Sequence, residues 1–494
     1  MATLEELMNE RVFYYFSEIC SIPHGSGHIE AISDYLCSFA SKRELEYVQD
    51  ELGNVVIYKP ATAGYEDIPG VILQGHMDMV LAVEKEYENS IDMLCEPLRL
   101  FVEGDYLGAR HTTLGGDDGI ALAMMLALLD SEDIPHPALE AIVTVDEEVG
   151  MEGAAGLDSS LIKYDRLINI DNEVEGQIIT GCAGGGRVEI SLPLDEENIS
   201  GALDSRDIYK LAIEGCKGGH SGVEIHHGRA NANMIIGRLL YRLAHEFDGR
   251  VRLTDICGGN ADNAIPSSAY ACIAIDNSGD RINDIEALVS EEAEKIKIEY
   301  SSVDPDMIIS LTKTPQPELV TVYSSKATRR VANLIYGMPG GVMTMSADVA
   351  GLVETSLNLG ILKIEAGEVQ LHFSVRSSVA SAKQAIIDKL SAIAELAGAN
   401  VSISGVYPGW KYQVESPLRE RCISVYKKLF DREPIVEAIH AGLECGFFMD
   451  KKEGIDCISI GPDILDIHTP RERLSISSTR RTWSWLCELL KDPS

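Results

Sequence analysis

Three consecutive acids, Asp146, Glu147 and Glu148, follow the short β-branched run AIVTV (141–145) and precede Gly150. Like charges crowded at a strand end repel one another, and a bound cation removes that objection. Side chains alternate along an extended chain, so Glu147 and Glu148 are expected to face different ways, one toward a metal and its neighbour toward the space in front of it. Further residues of the same chemistry recur along the chain. His76 and Asp78 stand two apart at the end of the apolar run 71–75, on one side of an extended segment. A metal-bound imidazole commonly gives its other N–H to a carboxylate, a role open to Asp78. Asp117 lies in the string GGDDG (115–119), just before the apolar run 120–129. A helix dipole favours an acid there, and the glycines allow close backbone approach. Asp171 closes the run 166–170, and His468 follows the run 457–461.

His76, Asp117, Glu148, Asp171 and His468 together offer two imidazoles and three carboxylates. That set suits two Zn²⁺ ions sharing one carboxylate, each also holding one histidine and one further acid. Asp117, at the helix start between strand ends, is the expected bridge. The charges of two dications, three carboxylates and a bridging hydroxide cancel. Such a pair of metals acidifies water and polarises a scissile carbonyl. Glu147, left uncoordinated, would serve as general base and then as acid toward the leaving amine. The tetrahedral oxyanion still needs a donor, and His220 in the loop KGGHSG (217–222) is the candidate. Plainer readings stand beside each residue taken alone: a solvated loop histidine for His220, a core histidine for His76, an N-cap for Asp117. Their convergence on strand ends favours the chemical reading.

The elements needed to hold these residues are legible in outline. Helices are expected over 4–19 and 28–42, strands over 54–58 and 71–75, a helix over the apolar run 120–129, and strands over 141–145 and 166–170. Strands alternating with helices indicate an α/β sheet, in which sites form beyond the carboxyl ends of the strands. His76, Glu147, Glu148 and Asp171 all fall at such ends. GCAGGG (181–186) reads as an exit from this domain. From 187 to 405 the texture changes to two similar runs of strands and helices, an inserted α/β domain of two related halves. The chain then returns through PGWKY (408–412), a helix over 417–430, a strand over 457–461 and a helix over 475–491. The expected division is therefore a discontinuous domain of 1–186 and 406–494, interrupted by a second of 187–405.

A chain of 494 residues supports two or three domains. Its net charge of −36 argues against nucleic acid and anionic membranes as partners. The amino terminus is acidic and amphipathic, unlike a secretory signal, and no apolar run is long enough to span a bilayer. The 11 cysteines include no CxxC pair, so neither a disulfide framework nor a thiolate zinc site is expected. The cytoplasm is the expected compartment.

Several longer strings carry a resemblance: VILQGHMDMV, ARHTTLGGDDGIALA, VTVDEEVGMEGA, LINIDNEVEGQIITGCAGG, GGHSGVEIH, NAIPSSA, IHAGLECG and ISIGPDILDIHTP. In order and over nearly the whole length, they resemble the aminoacyl-histidine dipeptidase, carnosinase-like branch of the di-zinc aminoacylase and carboxypeptidase family. The resemblance implies a di-zinc exopeptidase-type catalytic domain with a mixed central sheet, interrupted by a lid domain, and dipeptides as substrates. It implies one zinc on His76, Asp117 and Asp171 and the other on Asp117, Glu148 and His468, with Co²⁺ or Mn²⁺ as substitutes. Asp78 matches the acid supporting the first histidine, Glu147 the general base and His220 the transition-state histidine. Asn263 and Arg376 match residues holding the substrate backbone and terminal carboxylate, and His440 and Gly442 match a substrate-binding loop. It also implies a cis peptide between Asp117 and Asp118. The chain departs from the family at Asp118, where an Asn is usual, at His111, where a Gly is usual, and in the bulkier, acidic flank Asp466-Ile467. A two-halved lid could stand in for a partner subunit, which leaves monomer and homodimer both open. Two other readings remain: a deacylase of N-acyl amino acids or tripeptidase of the same family, and a metal-dependent peptide-binding protein without turnover. Retention of Glu147 speaks against the last, since binding alone needs no base beside the metal.

Overall fold

The computed structural model describes residues 3–195, 206–276, 282–315 and 321–491. They form two compact units. The first comprises Met1–Cys182, Trp410–Ala438 and Leu443–Ser494, and the second Ala183–Gly409 with Ile439–Gly442.

The first unit is built on an eight-stranded mixed sheet, in the order Glu46–Gln49, Val55–Lys59, Leu139–Thr144, Val71–His76, Arg166–Asn169, Asp456–Ser459, Gln177–Cys182, Ile435–Ile439. The strands Leu139–Thr144, Val71–His76, Arg166–Asn169 and Asp456–Ser459 run parallel to their neighbours within this set. Every residue of Val71–His76 and Leu139–Thr144 is buried, which explains why apolar residues do not alternate with exposed polar ones there: parallel strands are covered on both faces, and the polar Gln74, Glu140 and Thr144 are buried with the rest. The helix Gly116–Asp130 is apolar all round and buried along its length, as a helix at the centre of a layered core must be. It packs on the helix Arg11–Cys20, and Gly119 lets the Phe16 ring approach, since a Cβ there would lie 3.3 Å from it. A separate four-stranded antiparallel sheet, Ile464–Leu465, Arg473–Ser475, Tyr106–Ala109 and Leu100–Glu103, carries the loop with His468.

Two sequence expectations in this unit need correction. The helix expected over 4–19 is two helices, Leu4–Leu7 and Arg11–Cys20. The first is closed by a capping box between Thr3 and Glu6, and the chain turns at Asn9 before the second begins. The strand expected over 141–145 ends at Thr144. Asp146 takes a left-handed conformation, φ +52°, which a short polar side chain tolerates, and residues 147–150 form a turn. Glu147 and Glu148 therefore do not alternate along an extended strand.

The second unit is built on an antiparallel sheet of nine strands, beside a separate two-stranded pair, Gly219–His220 with Ala264–Ile265. The order of the larger sheet is Ile308–Lys313, Arg206–Glu214, Ala269–Asp276, Val251–Gly258, Val353–Glu365, Glu368–Ser377, Gly184–Pro193, Asn400–Tyr407, with Gly341–Met345 beside Val353–Glu365. The first four strands go with the helices Ala232–Glu246 and Ile282–Tyr300 and the rest with Ala380–Ala397, while Ser325–Gly337 packs on Val251–Gly258 of the first set and on the helices Ala232–Glu246 and Ala380–Ala397. These two sets share the sheet through Cys257 opposite Lys363 and Gly258 opposite Leu362, and share a core where Gly237 of one helix meets Ile335 of another. The unit begins at Ala183 and ends at Gly409, a few residues outside 187–405. It also takes in Ile439–Gly442, which the sequence reading left in the other domain. The reason is local: Ala183 N–H donates to Ala441 O at 2.9 Å, and His440 Nε2 lies 2.7 Å from Ser356 Oγ.

Candidate metal centre

Four parallel strands of the first unit deliver their carboxyl ends to one edge. His76 is the last residue of its strand, the turn 147–150 follows the next, Asp171 follows Arg166–Asn169, and the His468 loop follows Asp456–Ser459. Asp117, in the first turn of the helix Gly116–Asp130, reaches the same edge with non-helical backbone (φ −84°, ψ 106°), and its peptide bond to Asp118 is cis.

At this edge His76, Asp117 and Asp171 bring ligand atoms within 4.8 Å of one another, and so do Asp117, Glu148 and His468. Asp117 belongs to both groups. Its Oδ1 lies 3.1 Å from His76 Nε2 and its Oδ2 3.2 Å from His468 Nε2. His468 Nε2 is also 2.8 Å from Glu148 Oε1, and His76 Nε2 is 3.6 Å from Asp171 Oδ1. Glu147 lies within the same reach of His76 and Glu148.

Around these residues the backbone is held by buried carboxylates. Asp78 accepts Glu147 N–H on Oδ1 at 3.0 Å, Glu148 N–H on Oδ2 at 3.3 Å, and the Ser26 hydroxyl at 2.8 Å. His76 Nδ1 is nearer the Asp78 carbonyl oxygen, 3.0 Å, than its carboxylate, 3.4 Å. Asp78 thus supports the acid pair as much as the histidine, which the spacing of His76 and Asp78 alone did not reveal. Glu472 accepts four N–H groups from the turn before the helix: Leu114 and Gly115 on Oε2, Gly116 and Asp117 on Oε1, at 2.7–3.3 Å. Asp118 is buried, and its Oδ2 accepts His76 N–H at 3.2 Å. Deeper in the sheet, Glu444 accepts from Gln74 at 2.5 Å and Thr144 at 2.7 Å, and Gln74 in turn accepts from Asn169. Sequence reasoning missed Glu472 and Glu444. Glu444 sits inside the string IHAGLECG, which was a usable signal; Glu472, in a charged stretch, had none.

The electrostatics ask for a cation. Burial pushes the Asp171 carboxyl up to about 7 and the Glu147 carboxyl well above its usual range, against opposing hydrogen bonds or charge from His76. Burial also acts on Asp117, but hydrogen bonds from His468 and His76 outweigh it and leave the group below the usual range. His468 is pushed up to about 10 by Asp117 and Glu148. Glu173, two residues past Asp171, is raised to about 7 by burial and then by Asp117. Among the described residues, the ion pairs of Asp117, Glu148 and Asp171 are all with histidine. A nitrogen-and-carboxylate donor set, buried and short of positive charge, fits divalent metal of the zinc type.

In the second unit, His220, Arg376 and His440 form a group of their own. Arg376 is 9% exposed; its Nη1 donates to Tyr407 Oη at 3.1 Å, while its Nε is buried without a hydrogen-bond partner. His440 is held down to about 4 by burial and by Arg376, and His220 is lowered by the same two causes. Gly222 passes so close to the His440 carbonyl that a Cβ would lie 2.6 Å from it. Asn263 O accepts Ser221 N–H at 2.8 Å, and Gly442 ends the short stretch that holds His440. His111, in the first unit, has φ +68°, stacks on Tyr87 at 3.7 Å and meets Glu84 Oε2 at 2.7 Å. The side chain in place of the usual glycine is thus packed rather than loose.

Paired imidazole–carboxylate clusters at the carboxyl edge of a mixed α/β sheet define a metal-dependent hydrolase. The family described as Peptidase family M20/M25/M40 matches residues 72–492, and the chain belongs to it. It is 38% identical over 492 residues, covering 100% of this chain and 99% of the relative, to the cytosol non-specific dipeptidase of Escherichia coli strain K12. Its structure is similar to that of aminoacylhistidine dipeptidase from Vibrio alginolyticus, with TM-score 0.91, 35% identity and coverage of 99% and 98% of the two chains. An aminopeptidase PepT from Bacillus cereus, at 16% identity and TM-score 0.56 over 98% of both chains, shares the fold.

Proposed function

We infer that this protein is a metallo-dipeptidase whose substrates are dipeptides with a free amino terminus and a free carboxylate, Xaa-His among them. The observation that carries the reading is Asp117, which presents one oxygen to each of two imidazoles while two further carboxylates complete the groups around it. His76, Asp117 and Asp171 would hold one Zn²⁺, and Asp117, Glu148 and His468 a second, with Co²⁺ or Mn²⁺ able to replace it. Bound there, two such ions supply Lewis acidity toward the scissile carbonyl and toward water.

The remaining work falls to side chains. Glu147, held by the Asp78 clamp beside the ligands, takes the proton from the attacking water and returns it to the leaving amine. The second unit, Ala183–Gly409 with Ile439–Gly442, acts as a lid. From it His220 donates to the developing oxyanion, Arg376 pairs with the terminal carboxylate, and Asn263, His440 and Gly442 line the substrate. A buried Arg376 Nε without a partner supports the carboxylate assignment. A side-chain preference broader than histidine agrees with the two relatives, one called non-specific and the other an aminoacylhistidine dipeptidase. Among the described residues, no helix is long and apolar enough to cross a membrane. The acidic net charge of −36 and the relative named a cytosol dipeptidase support action in the cytoplasm on dipeptides rather than on nucleic acid or an anionic membrane surface.

The test is a substrate panel on protein loaded in turn with Zn²⁺, Co²⁺ and Mn²⁺: Xaa-His and other dipeptides, tripeptides and N-acetyl amino acids. Dipeptides should turn over fastest with every metal that supports activity. Faster cleavage of tripeptides or of N-acetyl amino acids would replace this reading with tripeptidase or deacylase.

A further inference from the structure

The segment that carries His220 is tied at both ends to one buried carboxylate. Asp304, 2% exposed, accepts Lys217 N–H on Oδ1 at 2.6 Å and Ala230 N–H on Oδ2 at 2.7 Å. Asp304 is itself fixed by its N–H, which donates to Tyr300 O at 2.9 Å at the end of the helix Ile282–Tyr300. Between the two anchors the loop is cross-linked again. Arg229 donates to Gly218 O at 2.6 Å and pairs with Glu224 at 2.9 Å, and Glu224 Oε2 accepts His220 N–H at 2.8 Å. Gly219 and His220 pair with Ile265 and Ala264. At Gly219, φ is +134° and a Cβ would run into Arg229 and Glu224, so only glycine fits.

This framework decides the state of the imidazole. Gly222 N–H and Val223 N–H both point at His220 Nδ1, each at 3.2 Å. A backbone N–H can only donate, so Nδ1 must present its lone pair. The proton of the neutral ring then sits on Nε2, because the bond made at one ring nitrogen sets the other. Burial, and then the Arg376 guanidinium, hold the ring below its usual pKa, which favours the neutral form near pH 7.

We propose that the 217–230 loop locks His220 as a neutral Nε2–H donor, and that Asp304 is the positioning residue that keeps the loop in that conformation. A donor that is already oriented and already holds its proton needs no reorganisation when charge develops on the substrate oxygen. This rests on the dipeptidase reading only in supposing that the oxygen belongs to a peptide.

The experiment is ¹⁵N NMR of the histidine rings in zinc-loaded, full-length protein, with the His220 signals assigned by their loss in His220→Gln. Wild type should show one tautomer near pH 7.5, with Nε2 protonated and Nδ1 bare. Asp304→Ala should convert this to a tautomer average and lower kcat about tenfold with KM and zinc content little changed. Asp304→Asn, of the same size and with one acceptor oxygen left, should fall between the two. It also covers the case in which the alanine variant does not fold. An Nδ1–H or averaged ring in wild type overturns the proposal without any variant, even if dipeptides are cleaved well. So does an Asp304→Asn protein with an unaltered ring spectrum and full kcat. The ring spectrum is read without substrate, so an inactive wild type showing the Nε2–H tautomer would count against the dipeptidase reading alone.

Discussion

Asp117 and Glu147 each approach His76, yet their surroundings assign them different work. Asp117 Oδ1 and Oδ2 each face an imidazole, so its removal opens both ligand groups at once. Asp117→Ala should bind metal at least about tenfold more weakly at both sites, read by chelator competition. Glu147 belongs to neither of the groups that share Asp117, so Glu147→Ala should keep two metals per chain while kcat falls by about 10² or more. Two metals at wild-type affinity in the Asp117 variant, or fewer than two in a folded Glu147 variant, would reverse the roles. A third carboxyl, remote from the metals, makes a stability prediction. Glu140 is fully buried, with Oε2 accepting Lys163 and Tyr164 N–H and Oε1 without a partner. Burial raises it from 4.5 to about 7. Between those values the native state keeps a proton that the unfolded chain has released, so the group's contribution to stability falls as pH rises through that window. Glu140→Gln keeps the accepting oxygen and removes the charge. Its melting temperature should match wild type near pH 5 and exceed it by about 2 °C at pH 8. An equal shift at both pH values would show that charge is not the cause.

At the scale of elements, Glu472 is the joint between the helix that bears Asp117 and the loop that bears His468. It lies four residues past His468 and takes all four N–H groups from Leu114 to Asp117. Glu472→Ala would leave those donors buried without acceptors, a loss of about 3 kcal/mol in metal-free protein by denaturant unfolding. Metal affinity should drop about tenfold as well, since both ligands move with the turn. Intact affinity in the destabilised variant would make the joint purely structural. Such joints mark where sequence reading runs out. The helix at 120–129 and the strands at 71–76 and 139–144 were legible because apolar density betrays complete burial. The strands Gln177–Cys182 and Ile435–Ile439 carry no such signal, the first being glycine-flanked and the second exposed along most of its length. The pairs of strands behind the His468 loop are two to four residues long, too short for any periodicity. Ligand types and their strand ends could be seen, but not the left-handed Asp146 that turns both glutamates toward His76. Nor could local spacing show that Asp304, 74 residues beyond Ala230, anchors the His220 loop.

For the whole molecule, the question is whether the second unit of a chain serves its own metals or those of a partner. The metal-side residues all lie in the first unit and His220, Arg376 and His440 all lie in the second. On the roles proposed for these residues, activity would require both units, from one chain or from two. The second unit joins two sets of strands and helices in one sheet, through Cys257–Lys363 and Gly258–Leu362, with Gly237 packed on Ile335 between their helices. A single chain thus supplies the two halves that an exchange of subunits would otherwise bring together, which favours action within one chain. Co-expressed Glu147→Ala and His220→Ala proteins test this directly. Each is expected to be nearly inactive, and the mixture should remain so. Action in trans would instead restore roughly a quarter of wild-type activity, because half of randomly formed C2 dimers would be mixed and each would hold one intact site. Light scattering on the same sample separates a monomer from a dimer whose sites are each complete. Recovered activity would move His220 into the partner's site and make dimerisation a requirement for turnover.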